Sequence, residues 1–117
     1  IDVGIPCITG STLLWPILGR ARTLELILTG RMLSASEALD WGVVSEVTAG
    51  DPLERAVALA RSLGEKAPRA IRLNKAWNNE LTEETYQRGV AAAKAAHRQA
   101  YGSGDAAEHM EQFLERR

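Results

Sequence analysis

The chain has 117 residues, of which 45% are hydrophobic and 25% charged, and its 14 basic and 15 acidic side chains leave a net charge of −1. Because proteins that bind nucleic acid or membrane surfaces usually carry a strong basic excess, we expect neither kind of partner. No apolar run approaches the roughly 20 residues that cross a bilayer, and no basic and apolar signal sequence opens the chain, so we expect a cytoplasmic location.

The residue types that usually bind metals or form disulfides are scarce in this chain. Cys7 is the single cysteine, and the two histidines, His97 and His109, lack the spacing of a metal site. We therefore expect no disulfide and no bound metal. Cys7 is expected to be a small buried hydrophobe, and both histidines are expected to be packing or solvated side chains. Three aromatic residues are expected to fill cores: Trp15, Trp41 and Trp77.

The first ten residues, IDVGIPCITG, form a predicted loop, because Gly4, Pro6 and Gly10 interrupt both helix and strand periodicity. Two interpretations of this loop are open. Its glycines would let a ligand approach the backbone amides, or the loop would be a turn that leads into the next helix.

Two short helices are predicted after the loop. The first covers residues 11–18 and ends at Gly19, and the second covers residues 20–29, with apolar side chains recurring at helical spacing. Gly30 is expected to close the second helix in a left-handed conformation.

A corner follows in the segment LTGRMLSASEALDWGVVSEV, in which residues that start and end helices are closely spaced. Ser34 and Glu37 have the spacing of a capping box, which predicts a helix that starts at Ala35 and ends near Gly42. The valine-rich residues 43–47 then favour an extended chain, and we predict one short β-strand there.

The rest of the sequence predicts helices only. Their start signals are Asp51 with Pro52, Pro68, Thr82, and an acidic capping box of Asp105 with Glu108. Long Ala-rich helices depend on tertiary packing for stability, so we expect this part of the chain to pack on another subunit or domain.

Three segments resemble the C-terminal part of the enoyl-CoA hydratase/isomerase, or crotonase, superfamily: GIPCITGSTLLWPILGR, LELILTGRMLSASEALDWGVVSEV and DAAEHMEQFLERR. The resemblance covers essentially the whole chain. It implies a mainly α fold with one short β-strand, taken from the C-terminal part of an α/β spiral. Residues 1–66 would end the spiral core, and residues 67–117 would form a helical region that assembles trimers or hexamers.

The resemblance also implies a chemistry. Members of the superfamily polarise an acyl-CoA thioester with two backbone amides, an oxyanion hole that stabilises an enolate, and carboxylates then move protons or activate water. The matching amides and the first carboxylate lie upstream of Ile1, and a second glutamate would fall immediately before it. We therefore expect no catalytic residue in this chain, no activity of the chain alone, and no cofactor beyond the coenzyme A that the substrate carries.

The glycine-rich loop is the part of the chain that the resemblance assigns to the substrate pocket, through Gly4, Pro6, Thr9 and Gly10. Residues 7–9 are Cys, Ile and Thr where hydratases usually carry more Gly or Ala. This departure narrows the expected pocket and leaves hydration, double-bond isomerisation and other reactions of the superfamily open.

Two residues near the end match positions that contact the adenine and 3′-phosphate end of CoA in the superfamily, often from a neighbouring subunit: Phe113 and Arg116. The alternative for this pair is a core phenylalanine and a solvated arginine. An alternative function also stands beside the enzyme, namely a helical assembly module that contacts CoA without any activity of its own.

Overall fold

The computed structural model describes residues 1–116. Five helices lie in this range: α1 (Ile8–Thr29), α2 (Ala35–Asp40), α3 (Pro52–Gly64), α4 (Pro68–Gly102) and α5 (Asp105–Glu115). The prediction of a mainly α chain is therefore confirmed. None of these helices has an apolar stretch long enough to cross a bilayer.

The first helix is interrupted where the sequence predicted a boundary. Gly19 has φ 68° and ψ 177°, so the backbone leaves the helical region there and α1 consists of two helical segments joined by a kink. The first segment begins at Ile8, three positions earlier than predicted. Gly30 closes α1 in the left-handed conformation, and its N–H donates to the Leu26 carbonyl oxygen at 3.0 Å.

The capping box predicted for α2 is present. The Ser34 hydroxyl accepts from the Glu37 backbone N–H at 3.2 Å, and the Glu37 carboxylate accepts from the Ser34 N–H at 3.0 Å. Two N–H groups that would otherwise lack a partner at the start of the helix are satisfied in this way.

The strand predicted for residues 43–47 is not confirmed, because residues 1–116 contain no β-strand. The N–H groups of Val43 and Val44 both donate to the Ala38 carbonyl oxygen, at 2.8 and 3.2 Å, and so close the end of α2. A strand forms when its N–H and C=O groups pair with a neighbouring strand, and the described chain supplies no such neighbour. Val43 and Val44 therefore help to close α2 and form no sheet within the described residues.

The helix start predicted at Thr82 is wrong, because Thr82 lies inside the 35-residue helix α4. Its hydroxyl lies 3.3 Å from the Asn78 carbonyl oxygen and 3.2 Å from that of Asn79. A capping threonine accepts from an N–H in the next turn, whereas this one donates to carbonyls in the preceding turn. The same side chain is thus compatible with either role, and the helix continues through it.

The start of α5 lies one residue earlier than the predicted capping box requires. Gly104, at φ 85°, occupies the N-cap, and Asp105 is already the first helical residue, with its N–H donating to the Ser103 hydroxyl at 3.3 Å. Asp105 and Glu108 instead place two acidic side chains in the first turn, where the helix dipole favours negative charge.

Tertiary packing centres on α4, which contacts α1 and, near its C-terminal end, α5. Gly89 and Ala93 are the buried residues of α4. A Cβ atom at Gly89 would lie 2.6 Å from Thr12 Cγ2 and 2.8 Å from Thr12 Cβ, so the two helices approach too closely for any larger residue.

Much apolar surface remains uncovered. Leu53 on α3 is 68% exposed, and Leu73, Trp77 and Leu81, which are spaced along one face of α4, are each more than half exposed. The radius of gyration is 18.2 Å, whereas a compact domain of this length has about 13 Å. The chain is therefore an extended arrangement of helices with little interior of its own.

Replacing Gly89 by alanine should destabilise the chain by about 1–3 kcal/mol, the range for overpacking a close contact. The measurement is equilibrium unfolding in urea at one fixed protein concentration. Gly102→Ala is the matched control on the same helix, because no atom lies within 4 Å of its Cβ position, and it should not destabilise. Equal stability of both variants would contradict the close contact. Partial recovery in Gly89→Ala with Thr12→Ala would locate the strain at this pair.

Candidate functional site

The loop that precedes α1 and the first turn of that helix together form most of the wall of a small cavity. Its volume is about 350 Å³, and α4 contributes His97 to the wall from a distant part of the sequence. The other residues in the wall come from one short stretch of the chain, without Gly4: Val3, Ile5, Pro6, Cys7, Ile8, Thr9 and Gly10. Most of these side chains are apolar, and the hydroxyl, the thiol and the imidazole are the polar side-chain groups in the wall.

Three of the four residues predicted for the substrate pocket line this cavity, namely Pro6, Thr9 and Gly10. Gly4 does not. It has φ +69°, and a Cβ atom there would lie 3.1 Å from Ala106 Cα and 3.1 Å from His109 Cδ2. Gly4 therefore brings the loop into contact with the first turn of α5, where a side chain would not fit.

Cys7 stands at the N-cap of α1, and its thiol is exposed, so the prediction of a buried cysteine is wrong. Its carbonyl oxygen accepts from both the N–H (3.0 Å) and the hydroxyl (2.8 Å) of Ser11. A Cβ atom at Gly10 would overlap the Cys7 sulfur. The thiol position thus depends on glycine three residues further along the chain.

His97 reaches the loop from α4. Its Nε2 lies 3.2 Å from the Pro6 carbonyl oxygen, across 91 positions of sequence, and the contact is partly buried. The sequence predicted a packing or solvated role for His97 and no contact with the loop. The available signal was its spacing, because Gly89, Ala93 and His97 recur every four residues and lie along one side of α4.

The two predicted CoA-binding residues lie at the other end of α5. Phe113 is half-buried within the helix, and Arg116 is the exposed C-cap residue. Phe113 lies seven residues after Ala106, which places it about 10 Å along the helix from the contact with Gly4. Helix α5 therefore connects the loop with both predicted positions, while Phe113 and Arg116 do not line the cavity.

The corner between α1 and α2 is organised by Arg31. Its Nε donates to a Glu25 carboxylate oxygen at 2.7 Å, and its Nη1 donates to the Glu37 carboxylate at 3.1 Å. Glu25 belongs to the last turns of α1 and Glu37 to the capping box of α2. One guanidinium thus joins the two helices across the turn at Gly30.

Two arginines also lie against Trp41. The guanidinium carbon is 4.6 Å from the ring centroid for Arg22 and 5.1 Å for Arg31, which are cation–π distances. The prediction that all three tryptophans fill cores is wrong, because Trp41 is half-buried against two arginine side chains, while Trp15 and Trp77 are 46% and 58% exposed. Arg22 and Arg31 are distant from Trp41 in sequence, so a local sequence pattern does not indicate these contacts.

Electrostatics at the corner favours the charged forms. Hydrogen bonds from the backbone and hydroxyl of Ser34, together with the charge of Arg31, lower the pKa of Glu37. The hydrogen bond to Glu25, with smaller contributions from both carboxylates, raises the pKa of Arg31 against a partial desolvation. Both groups are therefore ionised at neutral pH.

A larger groove of about 1210 Å³ is lined by residues of α1 and α4. Its wall includes the apolar and aromatic side chains Leu13, Trp15, Ile17, Leu81 and Tyr86. Each of these five side chains is at least 42% exposed.

These features define a helical chain with a glycine-proline loop and a small cavity at the start of its first helix. The chain belongs to the enoyl-CoA hydratase/isomerase family, whose sequence model matches residues 1–117.

Similar curated proteins carry related names. The chain is 34% identical over 119 residues to the probable enoyl-CoA hydratase echA8 of Mycobacterium tuberculosis, which covers all of this chain and 46% of that protein. It is 33% identical over 114 residues to a probable mitochondrial enoyl-CoA hydratase 2 of Arabidopsis thaliana, covering 97% of this chain and 38% of the relative. The chain thus spans less than half the length of these relatives. No solved structure matches it significantly.

The lowered pKa of Glu37 gives the corner a pH dependence of known sign. The stabilisation is complete above the ordinary glutamate pKa of 4.5 and is lost as the pH falls through the lowered value. Glu37→Gln retains a side chain that can form the capping box but does not titrate. We expect the wild type to be more stable than Glu37→Gln at about pH 7 and to lose this advantage as the pH falls below 4.5 and through the lowered pKa, as measured by urea unfolding. A difference independent of pH would contradict the assignment.

Proposed function

We propose that the chain is the C-terminal portion of a crotonase-like enzyme that acts on acyl-CoA thioesters, by hydration or by double-bond isomerisation. The reaction would pass through an enolate held in an oxyanion hole. In this proposal the present residues supply one wall of the substrate pocket and the grip on CoA. The oxyanion amides and the acid–base carboxylates would come from segments outside the 117 residues.

One observation carries the proposal. In a chain that belongs to the enoyl-CoA hydratase/isomerase family, Pro6, Thr9 and Gly10, which were expected at the substrate pocket, line one cavity at the N-terminal end of α1. The mostly apolar wall suits the acyl part of a substrate, and the names of similar proteins support this substrate class. The coenzyme A would be part of the substrate, and we propose no separate cofactor.

The chemistry limits what this chain does alone. Removing a single donor from an oxyanion hole typically lowers the rate about a hundred- to a thousandfold, and here both donors would be absent. The acid closest in sequence to the cavity residues is Asp2, which is exposed and lies beside Gly30 rather than among the residues that line the cavity. Asp2 therefore does not replace the missing carboxylates in this proposal.

We predict that the purified 117-residue chain does not turn over crotonyl-CoA, whereas the full-length product of the reading frame that contains it does. The measurement is loss of the enoyl thioester absorbance, with a 3-enoyl-CoA as a second substrate to detect isomerisation. An inactive full-length protein would contradict the proposed function. Turnover by the 117-residue chain, free of host enzyme, would contradict the assignment of the catalytic groups to other segments.

The two residues proposed to bind CoA lie at the C-terminal end of α5. Arg116 is exposed, and its planar, permanently charged guanidinium suits a phosphate group. We propose that it binds the 3′-phosphate end of CoA and that Phe113 packs against the adenine. The position of both residues on the helix that touches the Gly4 loop supports this proposal, because a CoA thioester must extend from the cavity to its nucleotide site.

In the full-length protein, Arg116→Ala should weaken CoA binding about tenfold, as expected for loss of a charged hydrogen bond, while the fold is retained. Isothermal titration with CoA measures this effect. Dephospho-CoA, which lacks the 3′-phosphate, should bind wild type and variant alike.

Arg72→Ala, at an exposed arginine near the start of α4, is the charge-matched control and should bind CoA as the wild type does. An equal loss in both variants would indicate a general effect of net charge. Unchanged affinity in Arg116→Ala would favour a solvated arginine.

A second candidate function is a non-catalytic helical assembly module. The observation that favours it is the exposed apolar face of α4, where Leu73 and Leu81 are each 62% exposed and Trp77 is 58% exposed. Water-exposed apolar surface of this kind is stabilised by burial against a partner, and we propose self-association to a trimer or hexamer. Sedimentation of the chain at micromolar concentration should show more than a monomer, and Trp77→Glu should shift the distribution towards the monomer. A wild-type monomer that unfolds cooperatively would exclude this role.

A further inference from the structure

We propose that His97 is the positioning residue of the loop in the acyl-thioester site, and that it acts through its hydrogen bond to the Pro6 carbonyl oxygen. The identity of the ligand rests on the function proposed above, whereas the effect of His97 on the loop does not. A carbonyl oxygen accepts and never donates, so the 3.2 Å contact requires the proton on Nε2. In the neutral ring this requirement selects the Nε2–H tautomer.

The hydrogen bond from His97 can orient the loop backbone because its acceptor belongs to a proline. Proline has a fixed φ and no N–H, so its carbonyl is the only backbone polar group through which Pro6 is oriented. The C=O and the following N–H of a trans peptide point in opposite directions, and the described chain has no cis peptide. Holding the Pro6 carbonyl towards α4 therefore also directs the N–H of Cys7, the N-cap residue of α1.

Other contacts hold the loop on either side of Pro6. Upstream, Gly4 lies against Ala106 and His109 of α5, while Ile1 and Asp2 lie beside Gly30, where a Cβ atom would be 3.1 Å from each side chain. Downstream, the Cys7 carbonyl accepts from Ser11 in the first turn of α1. Pro6 stands between these two anchored parts, at the wall of the cavity.

The packing of α4 on α1 places His97 beside the Pro6 carbonyl oxygen. Gly89 and Ala93 are buried in that interface, and His97 follows one turn beyond Ala93 on the same side of the helix. The close approach at Gly89 and Thr12 sets the distance between the helices, and the imidazole then spans the remaining gap to the loop. Because the packed helices hold the imidazole in place, its hydrogen bond keeps the loop backbone in one orientation. A ligand pocket depends on such preorganised backbone groups.

The test is amide hydrogen exchange of the loop in the full-length protein, with His97→Leu, which has no donor, and His97→Gln, which retains an N–H donor. A hydrogen bond contributes little net stability, so we expect peptides covering residues 3–11 to exchange about two- to tenfold faster in His97→Leu. His97→Gln should restore exchange to near the wild-type rate. Arg98→Leu places the same side chain at the neighbouring exposed position and should leave the loop unchanged.

Exchange across α3 and the circular dichroism of each variant report whether the fold is retained, so a general loss of structure is recognised separately. Wild-type exchange in His97→Leu would overturn the proposal. Equal exchange in the Leu and Gln variants would overturn it as well, because it would assign the effect to side-chain volume.

Crotonyl-CoA kinetics of the same proteins separate the two proposals. If the loop serves the reaction, His97→Leu should lower kcat and His97→Gln should recover it. An inactive wild type would refute the proposed function, while the exchange experiment would still decide the role of His97.

Discussion

The close approach of α1 and α4 at Thr12 and Gly89 is the contact on which the rest of the molecule depends. Absence of a side chain at Gly89 lets the Thr12 side chain lie against the α4 backbone, and buried Ala93 continues the same interface. Because packed interiors leave almost no spare volume, this contact sets the separation of the two helices. The position of His97 at the loop follows from that separation, and α5 then packs near the C-terminal end of α4.

The corner after α1 and the cavity loop are parts of one arrangement. Gly30 turns the chain, Arg31 joins the carboxylates of Glu25 and Glu37, and the first two residues of the chain lie beside the same glycine. The corner contains several capping residues because helix propensity alone does not stabilise a helix as short as α2. Its capping box and charged hydrogen bonds supply directional restraints instead, beside the loop that the proposed function assigns to the substrate.

Many large apolar side chains of this chain are exposed to solvent. Helix α3 is amphipathic, yet every one of its residues is exposed, and it does not pack extensively against another described helix. The first half of α4 is exposed in the same manner. Helices of this kind are stabilised mainly by burial of their apolar face. The self-association proposed above would cover such faces.

Local chemistry was sufficient to predict the helix boundaries at Gly19, Gly30 and Ser34, because each depends on atoms within a few residues of the chain. The pocket loop came from a family resemblance, and three of its four residues do line one cavity. Tertiary structure alone decided the rest. The valine segment has no strand to pair with among the described residues, and Thr82 donates to carbonyls within a continuous helix. Trp41 contacts two arginines, and His97 reaches Pro6 across 91 positions. The distance and direction between helices decide which residues distant in sequence come into contact. A local sequence pattern specifies neither the distance nor the direction.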